Sequence, residues 1–414
     1  MSTNSYAANI STLKDAKSFV LGLQHLIAMF GATVLVPILT GLNPSVALFS
    51  AGVGTLIFHF CTEFKVPVFL GSSFAFIPLI IQVRDMYSGD LAYAQGGIVV
   101  AGFIYVLLSF IVKFIGVGNI KKILPSHVVG PMIIVIGLTL VPVAVNMASS
   151  NYLLAALTLG IALSINFLGK GFIKQLAILI GVVSGYVIAS LMGLVDFTGI
   201  QSASYISIPA FTFPKFTAEA ILIIAPVVLA VFMEHVGDVT TNGAVVGKNF
   251  IENPGLNRTL LGDGLATMFA GFVGGPANTT YGENTGVLAI TKNYNPAILR
   301  ITAVFAIILA LVGKLGATLQ SIPTSVMGGI SIMLFSMIAF IGVKNIKDNN
   351  VKMNFKNILI MVIILFIGLA PSYLPSLAIS LPIPGTSIAL SGLSLAALTG
   401  VIVNAILTAF IKEA

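Results

Sequence analysis

Charge is scarce in this sequence. Only 8% of its 414 residues are Asp, Glu, Lys or Arg, while 57% are hydrophobic. A soluble domain carries roughly a quarter charged residues, so a soluble protein is excluded. Cysteine is scarcer still. The single Cys61 excludes an internal disulfide and a multi-cysteine metal site. The four histidines, His25, His59, His127 and His235, are scattered and form no metal-ligating pattern. The first 18 residues lack the apolar stretch of a cleavable secretory signal, so the first span itself is expected to direct insertion. No nucleophile–base pair, phosphate loop or metal cluster points to an enzyme, and no cofactor is expected.

Apolar segments are abundant. A helix needs about 20 mostly apolar residues to cross a bilayer. Such segments, several of them short, recur near 19–39, 46–62, 68–83, 91–112, 127–146, 152–168, 173–193, 218–237, 258–273, 280–291, 296–319, 324–343, 355–370 and 389–411. The chain therefore reads as an all-α polytopic membrane protein of fourteen segments.

The net charge of +7 would suggest nucleic acid in a soluble chain. Here it reads as the excess of basic residues in cytoplasmic loops, and no nucleic-acid partner is expected. With the N-terminus inside, only Arg84, Lys215 and Lys314 of the 20 Lys and Arg fall outside. Among those expected inside are Lys14, Lys121, Lys122 and Lys412. This bias favours cytoplasmic N- and C-termini. Fourteen segments divide into two sevens that enter from opposite sides, residues 1–195 and 196–414, as in the inverted repeats of secondary transporters.

The third and tenth segments, "VPVFLGSSFAFIPLII" and "NTTYGENTGVLAI", are interrupted. Each opens with Gly, Ser, Thr or aromatic residues before becoming plainly apolar, and the two occupy corresponding places in their halves. Irregular backbone cannot face lipid, so each must face protein or a cavity. A short extended stretch followed by a half-helix is expected in both, with free N–H groups near the midplane. The alternative is a pair of kinked core helices.

Glu234, Asp238, Asp263 and Glu283 fall within or near apolar segments, whereas Lys and Arg lie at segment ends or in loops. A carboxylate in the membrane costs at least a few kcal/mol. Without a cation it favours its protonated form, which is the profile of a proton or ligand site. Glu234 and Asp238 are four residues apart on one helix face and could take up and release a proton. The alternative is that they only bond Ser, Thr or His neighbours, and that reading is favoured for Asp263. His25 and His235 read as hydrogen-bonding struts, while His59 and His127 have no assigned role.

"SFVLGLQHLIAMFGATVLVPILTGLNP", "FLGSSFAFI", "EHVGDV", "NPGLNRTLLGDGLAT" and "NTTYGENTGVLAITK" together resemble the bacterial uracil permeases of the nucleobase–ascorbate transporter family, the second type of nucleobase:cation symporter. Glu283, Asn284, Gly286, Thr291 and Lys292 fill the family signature, and Gln24 with His25 is a second mark. The resemblance implies a core domain from about 18–113 and 218–320 and a gate domain from about 120–195 and 322–412. It also implies short antiparallel strands in segments three and ten, at the substrate site between the domains. It implies a homodimer in the bacterial plasma membrane that imports uracil with protons by alternating access.

Carried over residue by residue, Glu234 and Glu283 hold the base, with backbone amides at Phe74 and Gly282. Phe74, Tyr281 and Ala32 supply apolar walls. Asp238, Glu234 and Glu283 serve proton coupling, and His25, Gln24, Ser73 and Asn284 support the site. Two positions depart from the pattern. Asp238 stands where uracil permeases carry a histidine linked to proton coupling, which leaves the coupling ion open. Phe335 stands where a relative has a gate tyrosine. A purine or xanthine permease remains the main alternative, although such relatives usually show glutamine in place of Glu283. An anion transporter of the same architecture would favour basic or neutral donors over two carboxylates.

Overall fold

The computed structural model describes residues 16–116, 125–382 and 389–410. Lys14, Lys121, Lys122 and Lys412 lie outside the described residues, as do both chain termini.

Helix dominates, because a chain in lipid must satisfy its backbone groups within each segment. In chain order the main helices of the first half are α1 (Ala16–Thr40), α2 (Pro44–Cys61), α3 (Ile77–Met86), α4 (Ala92–Ile115), α5 (Ser126–Ala148), α6 (Tyr152–Leu168) and α7 (Ala177–Leu191). Then follow α8 (Ala218–Val246), with a tightened turn at Ala225–Val227, and α9 (Leu256–Val273). The chain continues through α10 (Gly282–Thr291), α11 (Pro296–Ala310), α12 (Thr324–Asp348), α13 (Phe355–Tyr373) and α14 (Gly392–Phe410). Asparagine starts several of them. Asn43 caps α2 by accepting from the Ser45 and Val46 amides, and Asn151 caps α6 through the Leu154 amide.

Among the described residues, α1, α2, α4, α5, α8, α12 and α13 are long and apolar enough to cross a membrane. Large apolar side chains such as Phe114, Phe340 and Ile402 face outward, where lipid rather than water suits them. The chain is a multi-pass membrane protein.

Helix α8 runs on past the apolar stretch expected to end near 237. Hydropathy alone misses this, because the polar residues that follow are paired inside the protein. Asp238 accepts from Thr280 Oγ1 at 2.8 Å, and Asn242 Nδ2 donates to Pro67 O at 3.0 Å.

The two interrupted segments hold the strand pair at the centre of the fold. β1 (Leu70–Ser72) and β2 (Asn278–Thr280) run antiparallel, with Gly71 opposite Thr279. Ser73 N donates to Ala277 O at 2.8 Å and Tyr281 N to Phe69 O at 3.1 Å, which lengthens the ladder at both ends. The kinked-helix alternative is thereby excluded. Surrounding side chains satisfy what the ladder leaves open. Thr55 Oγ1 accepts from Leu70 N at 2.9 Å, His59 Nε2 contacts Val68 O at 2.9 Å, and Thr267 Oγ1 donates to Asn278 O at 2.9 Å. All six strand residues are buried, so this irregular backbone never meets lipid.

The helices pack in two sets of neighbours. In one, α4 lies on α9, α2 on α9 and α11, α1 on α11, and the first part of α8 on α4. In the other, α5 lies on α12 and α13, α6 on α7 and α12, and α13 on α14. Small residues bring backbones close. A Cβ on Gly102 would fall 2.7 Å from Gly264 O, so α4 and α9 meet there only because both positions are glycine.

Candidate functional site

Each strand ends where a helical stretch begins. β1 leads through Ser73 into the turn Phe74–Phe76 and on to α3, and β2 leads through Tyr281 into α10. Neither Ser73 nor Tyr281 caps its helix with a side-chain hydrogen bond. The first amides beyond the ladder belong to Phe74 and Gly282, and such N-terminal amides are donors for a ligand. Gly282 is exposed, and a Cβ built on it would meet nothing within 4 Å. The backbone there borders open space inside an otherwise buried region.

The walls come from the elements packed around this junction. Phe74 is half-buried and packs against the cluster that contains Ala32, Tyr281 and Phe335. Tyr281 crosses the ladder, and its hydroxyl donates to Ser72 O at 3.0 Å. Gly71 permits that crossing, since a Cβ there would lie 2.3 Å from the Tyr281 ring.

Glu283 is the second residue of α10 and is half-buried, so its carboxylate stands at a positive helix end. Glu234 and Asp238 are half-buried on one face of α8, which Asn242 extends one turn further. α8 packs against α10, the helix that carries Glu283. Among the described residues, Lys and Arg pair with Glu63, Asp85, Asp90 and Asp348, and none pairs with Glu234, Asp238 or Glu283.

The supporting residues divide. Asn284 Nδ2 donates to His25 O and His25 Nδ1, each at 3.1 Å. A carbonyl only accepts, so the amide nitrogen must face His25, and the His25 proton then sits on Nε2. Gln24 Oε1 and Ser73 Oγ are buried without a protein partner, as is Asn284 Oδ1. Asp263 is fully buried on α9, 3.1 Å from His235 Nδ1, while His235 Nε2 contacts Thr259 Oγ1 at 2.9 Å.

The Permease family model Xan_ur_permease matches residues 16–377. The chain belongs to this permease family. It is 41% identical over 402 residues to the "Probable uracil permease" of Pasteurella multocida, covering 95% of this chain and 94% of that one. It is 39% identical over 405 residues to the "Uracil permease" of Bacillus subtilis, covering 93% and 91%. Among solved structures, murine Slc26a9, an anion transporter in the inward-facing state, superposes with a TM-score of 0.71 at 12% identity, covering 95% of this chain and 68% of that one. The transmembrane domain of the cyanobacterial bicarbonate transporter BicA superposes with a TM-score of 0.63 at 16% identity, covering 94% and 97%. These two likenesses concern the fold alone.

Several residues that organise this permease's junction carried no signal along the chain. Thr280 binds Asp238, and Asn242 joins α8 both to Pro67 O and to Thr285 Oγ1, the latter at 3.1 Å. Asn278 Nδ2 donates to Ser50 O at 3.1 Å and ties β2 to α2. Thr and Asn in apolar segments commonly bond their own helix, so only the three-dimensional pairing marks them.

Proposed function

We propose that this permease imports uracil by proton symport. The observation that carries the reading is the placement of Glu234 and Glu283, free of basic partners, beside the open Gly282 backbone. Uracil presents two N–H donors and two carbonyl acceptors around a flat ring. Glu234 and Glu283 accept from the N–H groups, and the Phe74 and Gly282 amides donate to carbonyls. Phe74, Tyr281 and Ala32 flank the ring. A buried site built for those groups rejects ligands that leave its own polar atoms stranded. Two carboxylates suit a donor ligand, whatever anions are carried by proteins of similar fold.

Proton coupling runs through Glu234, Glu283 and Asp238. Asp238 binds Thr280, two residues before Gly282, so a proton on this face alters the contact that anchors the strand-to-helix junction. Protonation favours uracil binding from outside, and release inside permits return.

The architecture in this reading is an inverted repeat of seven plus seven segments, residues 1–195 and 196–414. The helix neighbours support it. Exchanging each segment with its counterpart seven places along turns the α4–α9 contact into α11–α2, α6–α12 into α13–α5, and α6–α7 into α13–α14, and all of these contacts exist. The two packing sets support a core domain, 18–113 with 218–320, working against a gate domain, 120–195 with 322–412. Alternating access is the movement of one against the other, with both termini cytoplasmic in the bacterial plasma membrane and two copies joined as a homodimer.

Labelled uracil uptake into proteoliposomes with an imposed pH gradient tests the reading. Uptake should rise with an inward proton gradient and fall with a protonophore. Indifference to both would remove the coupling, and stronger competition by xanthine or hypoxanthine than by unlabelled uracil would reassign the substrate.

A further inference from the structure

A cavity that shares no lining residue with the candidate site lies on the outer surface where α2 ends, α4 ends and α9 begins. It is a cleft of about 690 Å³, open to the surroundings of the protein. Its walls are chiefly apolar, with Leu56 and Phe60 from α2, Phe110 from α4, and Leu261 and Leu265 from α9. Two cations, Lys113 and Arg258, also line it, and no acidic residue does. Both stand near helix ends, Lys113 in the last turn of α4 and Arg258 in the first turn of α9.

Arg258 is held in place by a carboxylate that it shares with a second cation. Its Nη1 lies 2.9 Å from Glu63 Oε1 and 3.3 Å from Cys61 O, and its side chain remains 43% exposed. Glu63 is shared with Lys65, and the hydrogen bond from Lys65 is the main cause that keeps its carboxyl below the ordinary range. The rim therefore keeps a positive excess after these pairs are formed. An apolar trough beside the spanning helices α2 and α4, closed at one end by cations, complements a molecule with a hydrocarbon tail and an anionic head.

We propose that this cleft binds an anionic diacyl phospholipid, its phosphate between Lys113 and Arg258 and an acyl chain along Phe60, Phe110, Leu261 and Leu265. A free phosphate or a soluble anion would leave the apolar walls uncovered, and a neutral lipid would leave the cations without a partner. The bound lipid bridges α2, α4 and α9. Through Thr55 on α2 and Thr267 on α9 it braces the helices that hold β1 and β2.

The chain carries its own reporter. Cys61, the single cysteine, is half-buried and lines the cleft. The rate at which a maleimide labels Cys61 in detergent reads whether the cleft is filled. Phosphatidylglycerol should slow labelling, whereas phosphatidylcholine and glycerol phosphate should not. K113Q alters an exposed side chain and should raise the phosphatidylglycerol concentration needed for half-protection about fivefold. K344Q, at a distant exposed lysine, should leave it unchanged. L265W, filling the trough, should abolish protection by lipid, and thermal melts of each variant report folding independently. Equal protection by phosphatidylcholine, full protection by glycerol phosphate, or an unchanged midpoint in K113Q would overturn the proposal. Uracil plays no part in the readout, so the result is independent of the transport reading.

Discussion

β1 leads through Ser73 into the apolar turn Phe74–Phe76, whereas β2 leads through Tyr281 into Gly282 and the carboxylate of Glu283. The backbone device is the same on both sides: a short buried strand, an uncapped helix start, and hydroxyl or amide side chains from neighbouring helices that finish the ladder. The chemistry differs. In the proposed site the β1 side offers an amide and the Phe74 ring, and the β2 side offers an amide, the Tyr281 ring and a charge. Strand pairing needs only backbone groups, so it tolerates symmetry. The side chains around the pair are under no such constraint, and they diverge.

This contrast can be broken first at the charge. Glu283→Ala should reduce uracil binding by about 100-fold or more, because a charge-assisted hydrogen bond is lost and its partner stranded. Phe74→Ala on the opposite side should cost only about tenfold, the loss of one aromatic wall. Equilibrium binding to purified protein, with a thermal melt to confirm folding, measures both. Equal losses would erase the distinction between the two sides.

The glycines sharpen the same comparison. Gly71→Ala forces a methyl into the Tyr281 ring and should destabilise the protein by about 1–3 kcal/mol. Gly282→Ala meets open space, so it should leave the melting temperature unchanged while weakening uracil binding. A stable Gly71→Ala variant would show that Tyr281 can leave the ladder freely.

A smaller effect is expected at Asp238. Asp238→Asn keeps an oxygen that accepts from Thr280 but removes the ionisable group, so uracil should still bind while uptake responds less to a pH gradient. Thr280→Val removes the donor instead and should cost about 1 kcal/mol of stability. The smallest effect is expected at an exposed acid. Lys215 hydrogen-bonds Asp90 and holds its carboxyl below the ordinary range. Any stability from that pair is present above the ordinary aspartate range and is lost as pH falls through the lowered value. Because both groups are solvated, Asp90→Asn should leave the melting temperature unchanged at physiological salt.

Much of this was legible along the chain. Apolar runs announce spanning helices, and the Gly, Ser and Thr residues that interrupt "FLGSSFAFI" and "NTTYGENTGVLAI" announce extended backbone. Both strands occur in those stretches. Glu234 and Glu283 stood out because a carboxylate in an apolar run has a large desolvation cost. The continuation of α8 to Val246 was not legible, since its polar face is satisfied by Pro67, Thr280 and Thr285, residues remote in sequence. That Asp263 meets a histidine agrees with the neighbour-bonding role favoured for it, although the choice of His235 depends on how α8 and α9 are rotated against each other. Hydropathy reports what a side chain prefers, not which distant partner meets it.

The most direct measurement is a structure determined with uracil bound. A planar ring is expected between Glu234 and Glu283, its N–H groups about 2.7–3.0 Å from the carboxylate oxygens and a carbonyl facing the Phe74 or Gly282 amide. A ring bound elsewhere, or either carboxylate turned onto a lysine or arginine while uracil is held by other groups, would contradict that expectation.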